Sequence, residues 1–151
     1  MDAVTYPQHE VIEFVNQAVI PLRVAYNTEP LATNFNLKWT PTLIVLDPDG
    51  KEHNRTVGFI SPEQLIPSLL LGIAKVHFDR DMFSEALANL ETLLLKYPKS
   101  DAAPEAIFFR GVVKYKATHD AKPLKQAYEL LDANFPGAEW TKRAYPYRLL
   151  P

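Results

Sequence analysis

Cysteine is missing altogether from the 151 residues. That excludes disulfides, thiolate metal sites and any cysteine nucleophile within this chain. Glycine is scarce, at five isolated residues, so no glycine-rich loop can wrap a phosphate. An excess of either charge is lacking too: 16 basic residues face 18 acidic ones, interspersed, for a net charge of −2. Such balance leaves no electrostatic footprint for nucleic acid or an anionic membrane. The longest strongly apolar stretch, Leu65 to Ala74, is interrupted by Pro67 and Ser68 and is far too short to span a bilayer. The first residues show no basic segment followed by an apolar run, and the expectation is a cytoplasmic chain. His9, His53, His77 and His119 are scattered, without His-x-x-His or His-Glu-x-x-His spacing. Asp79, Asp81 and Glu85 lack the glycine and the ligand spacing of a calcium loop. The sequence therefore calls for no metal and no cofactor.

What is present is organised around Trp39-Thr40-Pro41-Thr42-Leu43-Ile44-Val45-Leu46-Asp47. A proline that opens an apolar strand cannot donate a ladder hydrogen bond, so it belongs at a strand start, an edge or a bulge. The unbroken run Thr42 to Leu46 predicts a strand covered on both faces. Asp47-Pro48-Asp49-Gly50 is a turn signal, and Lys51 to Val57 returns as a more polar strand. Upstream, Val11, Phe14, Val15 and Ala18 make the apolar stripe of a helix spanning Pro7 to Ala18. Ile20 to Tyr26 predicts a short strand, and Asn27 to Pro30 a start for a brief helix with Leu31 and Phe35 on one face, stopped at Asn36.

Beyond Ser61 the pattern changes. Ser61-Pro62-Glu63-Gln64 reads as a capped helix start, and Pro67 lies early enough to kink that helix rather than end it. From Leu65 to Tyr147 only helical periodicities remain, joined by short polar turns. Leu70, Ile73, Ala74 and His77, then Ala86, Leu90, Leu93 and Pro98, fit one 34-residue helical repeat. Ala103, Ala106, Phe108 and Gly111, then Leu124, Tyr128, Leu131 and Pro136, make a second, and Trp140 to Leu149 a capping helix. Glu105 to Lys116 is apolar on nearly every side and must be sandwiched between neighbours. An irregular helical bundle is the alternative arrangement.

The order helix, strand, helix, Thr-Pro-Thr strand, Asp-Pro-Asp-Gly hairpin, helix resembles the C-terminal two-thirds of a thioredoxin-fold domain, over roughly Asp2 to Ala74. The resemblance implies a cis peptide at Thr40–Pro41, and a substrate-peptide groove lined by Lys38, Trp39, Thr40 and Pro41. Alternatively, Trp39 simply covers a core. Later, Tyr97-Pro98-Lys99-Ser100-Asp101-Ala102-Ala103-Pro104-Glu105-Ala106 resembles the repeat junction of tetratricopeptide proteins, which implies a concave partner-binding surface. The alternative is that the helices only cover the sheet domain.

One departure from the thioredoxin pattern dominates: the Cys-x-x-Cys pair and the strand before it are absent from the sequence. Without a thiolate nothing can attack a disulfide. The expected architecture is α/β then all-α, an incomplete thioredoxin-like sheet domain over residues 1–66 followed by tetratricopeptide-like antiparallel helix pairs with a C-terminal cap over 67–151. The expected function is a redox-inactive protein-interaction module. The alternative is the C-terminal portion of a thiol–disulfide oxidoreductase or folding factor whose Cys-x-x-Cys lies upstream of Met1, an expectation the costly missing strand favours. Partners are expected to be a protein or peptide, with no nucleic acid and no membrane. The strand at Leu22 to Tyr26 should close directly onto Thr42 to Leu46 or be paired by another chain, as in a homodimer completing the sheet.

Overall fold

The computed structural model describes residues 1–151. In chain order it contains α1 (His9–Ala18), α2 (Leu31–Asn34), β1 (Thr42–Leu46), β2 (Glu52–Val57), α3 (Pro62–Asp79), α4 (Phe83–Lys96), α5 (Ala103–Thr118), α6 (Lys122–Asn134), α7 (Glu139–Ala144) and a closing 3-10 turn, Tyr145–Leu149. The chain divides into two compact units, Met1–Ile66 and Pro67–Pro151, and the division falls inside α3. None of the helices is long and apolar enough to cross a membrane.

In the first unit the sheet consists of β1 and β2 alone, antiparallel. Thr42 faces Val57, Leu43 faces Thr56, Ile44 faces Arg55 and Val45 faces Asn54, and the register slips between Val45 and Leu46. The turn between the strands is built by Asp47, whose Oδ1 accepts the N–H groups of Asp49 (3.0 Å) and Lys51 (2.9 Å). Such an Asx arrangement is why Asp, Pro and Gly cluster at tight turns. Gly50 adopts φ +81 there, a left-handed conformation that costs glycine nothing.

Two expectations fail in this unit. Ile20 to Tyr26 forms no strand and does not close onto β1, and every residue from 20 to 30 is exposed. Its alternation of Ile20, Leu22, Val24 and Tyr26 suits a strand, but a strand exists only through the ladder of a neighbour, and no neighbour lies alongside. Nor is β1 covered on both faces. Four of its residues are half-buried and Leu46 is exposed, because the buried apolar side chains in this unit are only Val11, Ile60, Leu65 and Ile66.

Helix α1 begins at His9, two residues after the expected Pro7, with Gln8 at its N-cap. The preceding residues coil into turns in which Thr5 and Tyr6 donate backbone N–H groups to Met1 O. Asn36, at φ 48, ends the α2 segment in the left-handed region. Helix α3 runs unbroken through Pro67.

Packing in the second unit follows the apolar periodicity. Helix α5 packs against both α4 and α6, and α6 against α7 and the closing turn. Leu90, Leu93, Val113 and Leu131 are fully enclosed. Gly111 is the point of closest approach: a Cβ there would lie 2.8 Å from Ala127 Cβ and 2.9 Å from Pro123 O. Phe78, at the end of α3, meets Phe83 of α4 and Phe109 of α5 with ring centroids 5.7 and 5.0 Å apart. His77 packs here as well, with Nδ1 3.2 Å from Asn89 Nδ2.

Candidate functional site

The loop Lys38–Pro41 is held from three directions. Behind it, Arg55 of β2 donates from Nη2 to Phe35 O (2.8 Å) while its guanidinium grips Glu52, at 2.7 Å from Nε and 2.6 Å from Nη2. That fork ties the exit of α2 to the hairpin. It also holds the Glu52 carboxyl below its ordinary range, chiefly through the Arg55 hydrogen bond. Within the loop, Thr42 Oγ1 donates to Trp39 O at 2.6 Å. Across the strand pair, Gly58 N–H donates to Pro41 O at 2.8 Å, extending the ladder one step past Thr42 and Val57. Gly58 has φ +98, which turns the chain immediately after β2. The Thr40–Pro41 peptide is cis, as is Glu29–Pro30.

This arrangement brings two aromatic side chains within two residues of a single hydrogen bond. Trp39, 68% exposed, precedes Pro41, and Phe59, 61% exposed, follows Gly58. The remainder of the surroundings is anchored at Ile60, whose carbonyl accepts the buried Thr5 hydroxyl at 2.6 Å. On either side of Thr5 the half-exposed Val4 and Tyr6 face outward. Burial pushes the Tyr6 phenol up, Asp2 adds to the rise, and Arg23 opposes it; Arg23 and Asp2 are themselves paired at 2.9 Å.

The three residues singled out by sequence, Trp39, Thr40 and Pro41, thus lie together on a loop pinned at its base. Trp39 is too exposed to be a core cover. Phe59, Gly58, Arg55 and Thr5 were not anticipated. Phe59 could have been found by continuing the hairpin register one pair outward, because the Thr42–Val57 pair implies Pro41 beside Gly58. Chemically, these positions offer exposed aromatic side chains plus the backbone groups of a bent loop. It brings together neither a nucleophile with a base nor a pair of carboxylates. No group of three or more His, Asp or Glu side chains converges to hold a metal ion.

In the second unit an open depression of ≈ 410 Å³ is lined by Tyr128, Asp132, Gly137, Thr141, Lys142 and Tyr145. Tyr128 meets Tyr145 edge to face at 6.1 Å, and the Arg148 guanidinium lies 4.2 Å from the Tyr145 centroid. These contacts already satisfy its aromatic walls.

Residues 3–71 match the family model of a thioredoxin-like domain. The matched segment contains both flanks of the Pro41–Gly58 contact, the whole hairpin and the first part of α3. With its two-stranded sheet, the first unit is a partial thioredoxin-like domain, followed by a helical region. Neither a curated protein nor a solved structure matches the chain.

Proposed function

We propose that this chain is a protein-interaction module of the thioredoxin-like kind, redox-inactive in itself, which captures an extended apolar segment of another protein on the Trp39–Thr40–Pro41 loop. The observation carrying this reading is the exposure of Trp39 and Phe59 on either side of the Pro41–Gly58 hydrogen bond. Large aromatic side chains left in water on a backbone pinned at several points are the anchors from which binding hot spots are made, and a pinned loop loses little further entropy on binding. Residues 67–151 act in this reading as tetratricopeptide-like helix pairs offering a second partner surface. The successive packing of α4, α5 and α6, together with the closures at Pro98 and Pro136, supports it.

Fluorescence anisotropy with a labelled, unstructured peptide carrying a central apolar run tests the loop. The native chain should bind, and Trp39→Ala and Phe59→Ala should each weaken binding tenfold or more. Leu95→Ala, on an exposed position of α4, should not. Undiminished binding by the Trp39→Ala, Phe59→Ala double variant would overturn the site.

A second reading makes this chain the C-terminal portion of a thiol–disulfide oxidoreductase or folding factor with its Cys-x-x-Cys upstream of Met1. The thioredoxin-like match favours it. In-frame coding sequence decides: Cys-x-x-Cys a few codons before Met1 supports this reading, and an in-frame stop there removes it. On either reading a dithiol assay on the present chain reads blank, since it has no thiol to donate.

A further inference from the structure

The ladder between β1 and β2 fixes which backbone groups of β1 point away from β2. Gly58 N–H bonds Pro41 O, and Asp47 N–H bonds Lys51 O. In an antiparallel pair hydrogen-bonded positions alternate along each strand, so Leu43 and Val45 face β2, while the N–H and C=O of Thr42, Ile44 and Leu46 point to the opposite edge. None of these outward groups has a backbone partner. Edge strands are ordinarily defended by charge, proline or a bulge. The outer strand β2 is so defended, with Glu52, Arg55 and the irregularity opposite Val45 and Leu46. β1, Thr-Leu-Ile-Val-Leu, has no such defence.

We propose that β1 is the self-association edge of this protein, pairing antiparallel with β1 of a second copy about a two-fold axis at Ile44. The choice of a second copy rests on self-complementarity. With Ile44 opposite the partner's Ile44, Thr42 falls opposite the partner's Leu46 and Leu46 opposite the partner's Thr42. All three positions are outward-facing, so each N–H meets a C=O and no outward group is left over. The strand is uncharged, and two copies meet without like-charge repulsion. The product is a four-stranded sheet, β2–β1–β1–β2, in place of a two-stranded one, which is marginal by itself in water. The arrangement is isologous and closed. Carried outward, the same register sets each copy's Asp47–Gly50 turn beside the other copy's Trp39–Pro41 loop. One shared ladder is a small interface, so the dimer is concentration-dependent.

Sedimentation velocity on the native chain from micromolar to millimolar concentration, with two variants, tests this. The native chain should pass from monomer to dimer. Leu46→Lys, at an exposed position on this edge, should weaken dimerisation at least tenfold while leaving circular dichroism and melting temperature unchanged at micromolar concentration, where the native chain is monomeric. Because the chain has no cysteine of its own, Ile44→Cys gives a clean crosslink. The paired Cα atoms would lie about 5.5 Å apart, within disulfide reach, so mild oxidation should yield a covalent dimer. Leu95→Cys, 82% exposed on α4, should not crosslink under the same conditions. A native chain that stays monomeric, with Ile44→Cys crosslinking no faster than Leu95→Cys, overturns the proposal. So does a dimer indifferent to Leu46→Lys, or growth into open polymers.

Discussion

His53 Nε2 lies 2.8 Å from Asp47 Oδ2, and the two side chains are 1% and 7% exposed. The pair closes the hairpin that carries β1 and β2, with Asp47 Oδ1 already engaged by Asp49 and Lys51. The His53 hydrogen bond, followed by the Lys51 N–H, holds the Asp47 carboxyl below the usual carboxylate range.

Acid should therefore loosen this hairpin in a defined way. A carboxyl whose pKa is depressed on folding contributes stability that is fully present above its unfolded value, about pH 4, and is lost as pH falls through the folded value. Melting temperature followed from neutral pH downward should fall more steeply below about pH 4 for the native chain than for Asp47→Asn. Superimposable acid limbs would show that Asp47 carries none of this dependence.

The hydroxyl of Thr5 is the buried tie to Ile60 O. Thr5→Val keeps the shape and removes the donor, leaving a buried carbonyl short of a partner. The expected loss is about 1–2 kcal/mol, read by urea denaturation with unchanged slope. No change in midpoint would mean that the carbonyl is satisfied in some other way.

At Gly111 the limit is space. A methyl group there would press on Ala127 Cβ and on the backbone oxygen of Pro123, which cannot rotate away. Despite the helix propensity it adds, Gly111→Ala should destabilise the protein by about 1–3 kcal/mol. A more stable variant would show that α5 and α6 separate easily.

Trp39 and Phe59 should matter little to stability. Their exposure predicts that alanine at either position shifts unfolding by no more than about 0.5 kcal/mol, whatever it does to binding. A larger loss would make Trp39 a structural cover rather than an anchor.

Much of the architecture was legible where a local signal and a periodic one agreed. The Asp47–Gly50 turn flanked by apolar and polar runs gave the hairpin, and the stripes in Leu70–His77 and Ala86–Leu93 gave α3 and α4. Pro67 does not end α3, in keeping with its place early in the helix. Ile20–Tyr26 misled because alternation reports what a strand could bury, not whether a neighbour exists to complete its ladder. The same lack leaves β1 half-covered although its composition is that of an interior strand. At the candidate site, Trp39, Thr40 and Pro41 are contiguous and visible in the sequence. Phe59 lies eighteen residues after Pro41, and becomes its neighbour only once the register is known. His53 gave no signal because its partner is fixed by the fold of the turn rather than by spacing along a helix.

The chain holds only two tryptophans, and they occupy opposite environments. Trp39 stands in solvent in the first unit. Trp140, in the second, lies against Phe108 at 5.1 Å with the Arg143 guanidinium 4.7 Å from its ring. Each half of the molecule thus carries its own lamp, and only that of the second, half-buried, has apolar surroundings to lose. In a denaturant titration followed across the emission band, a red shift would report the opening of the second half, while Trp39, already in water, keeps its colour.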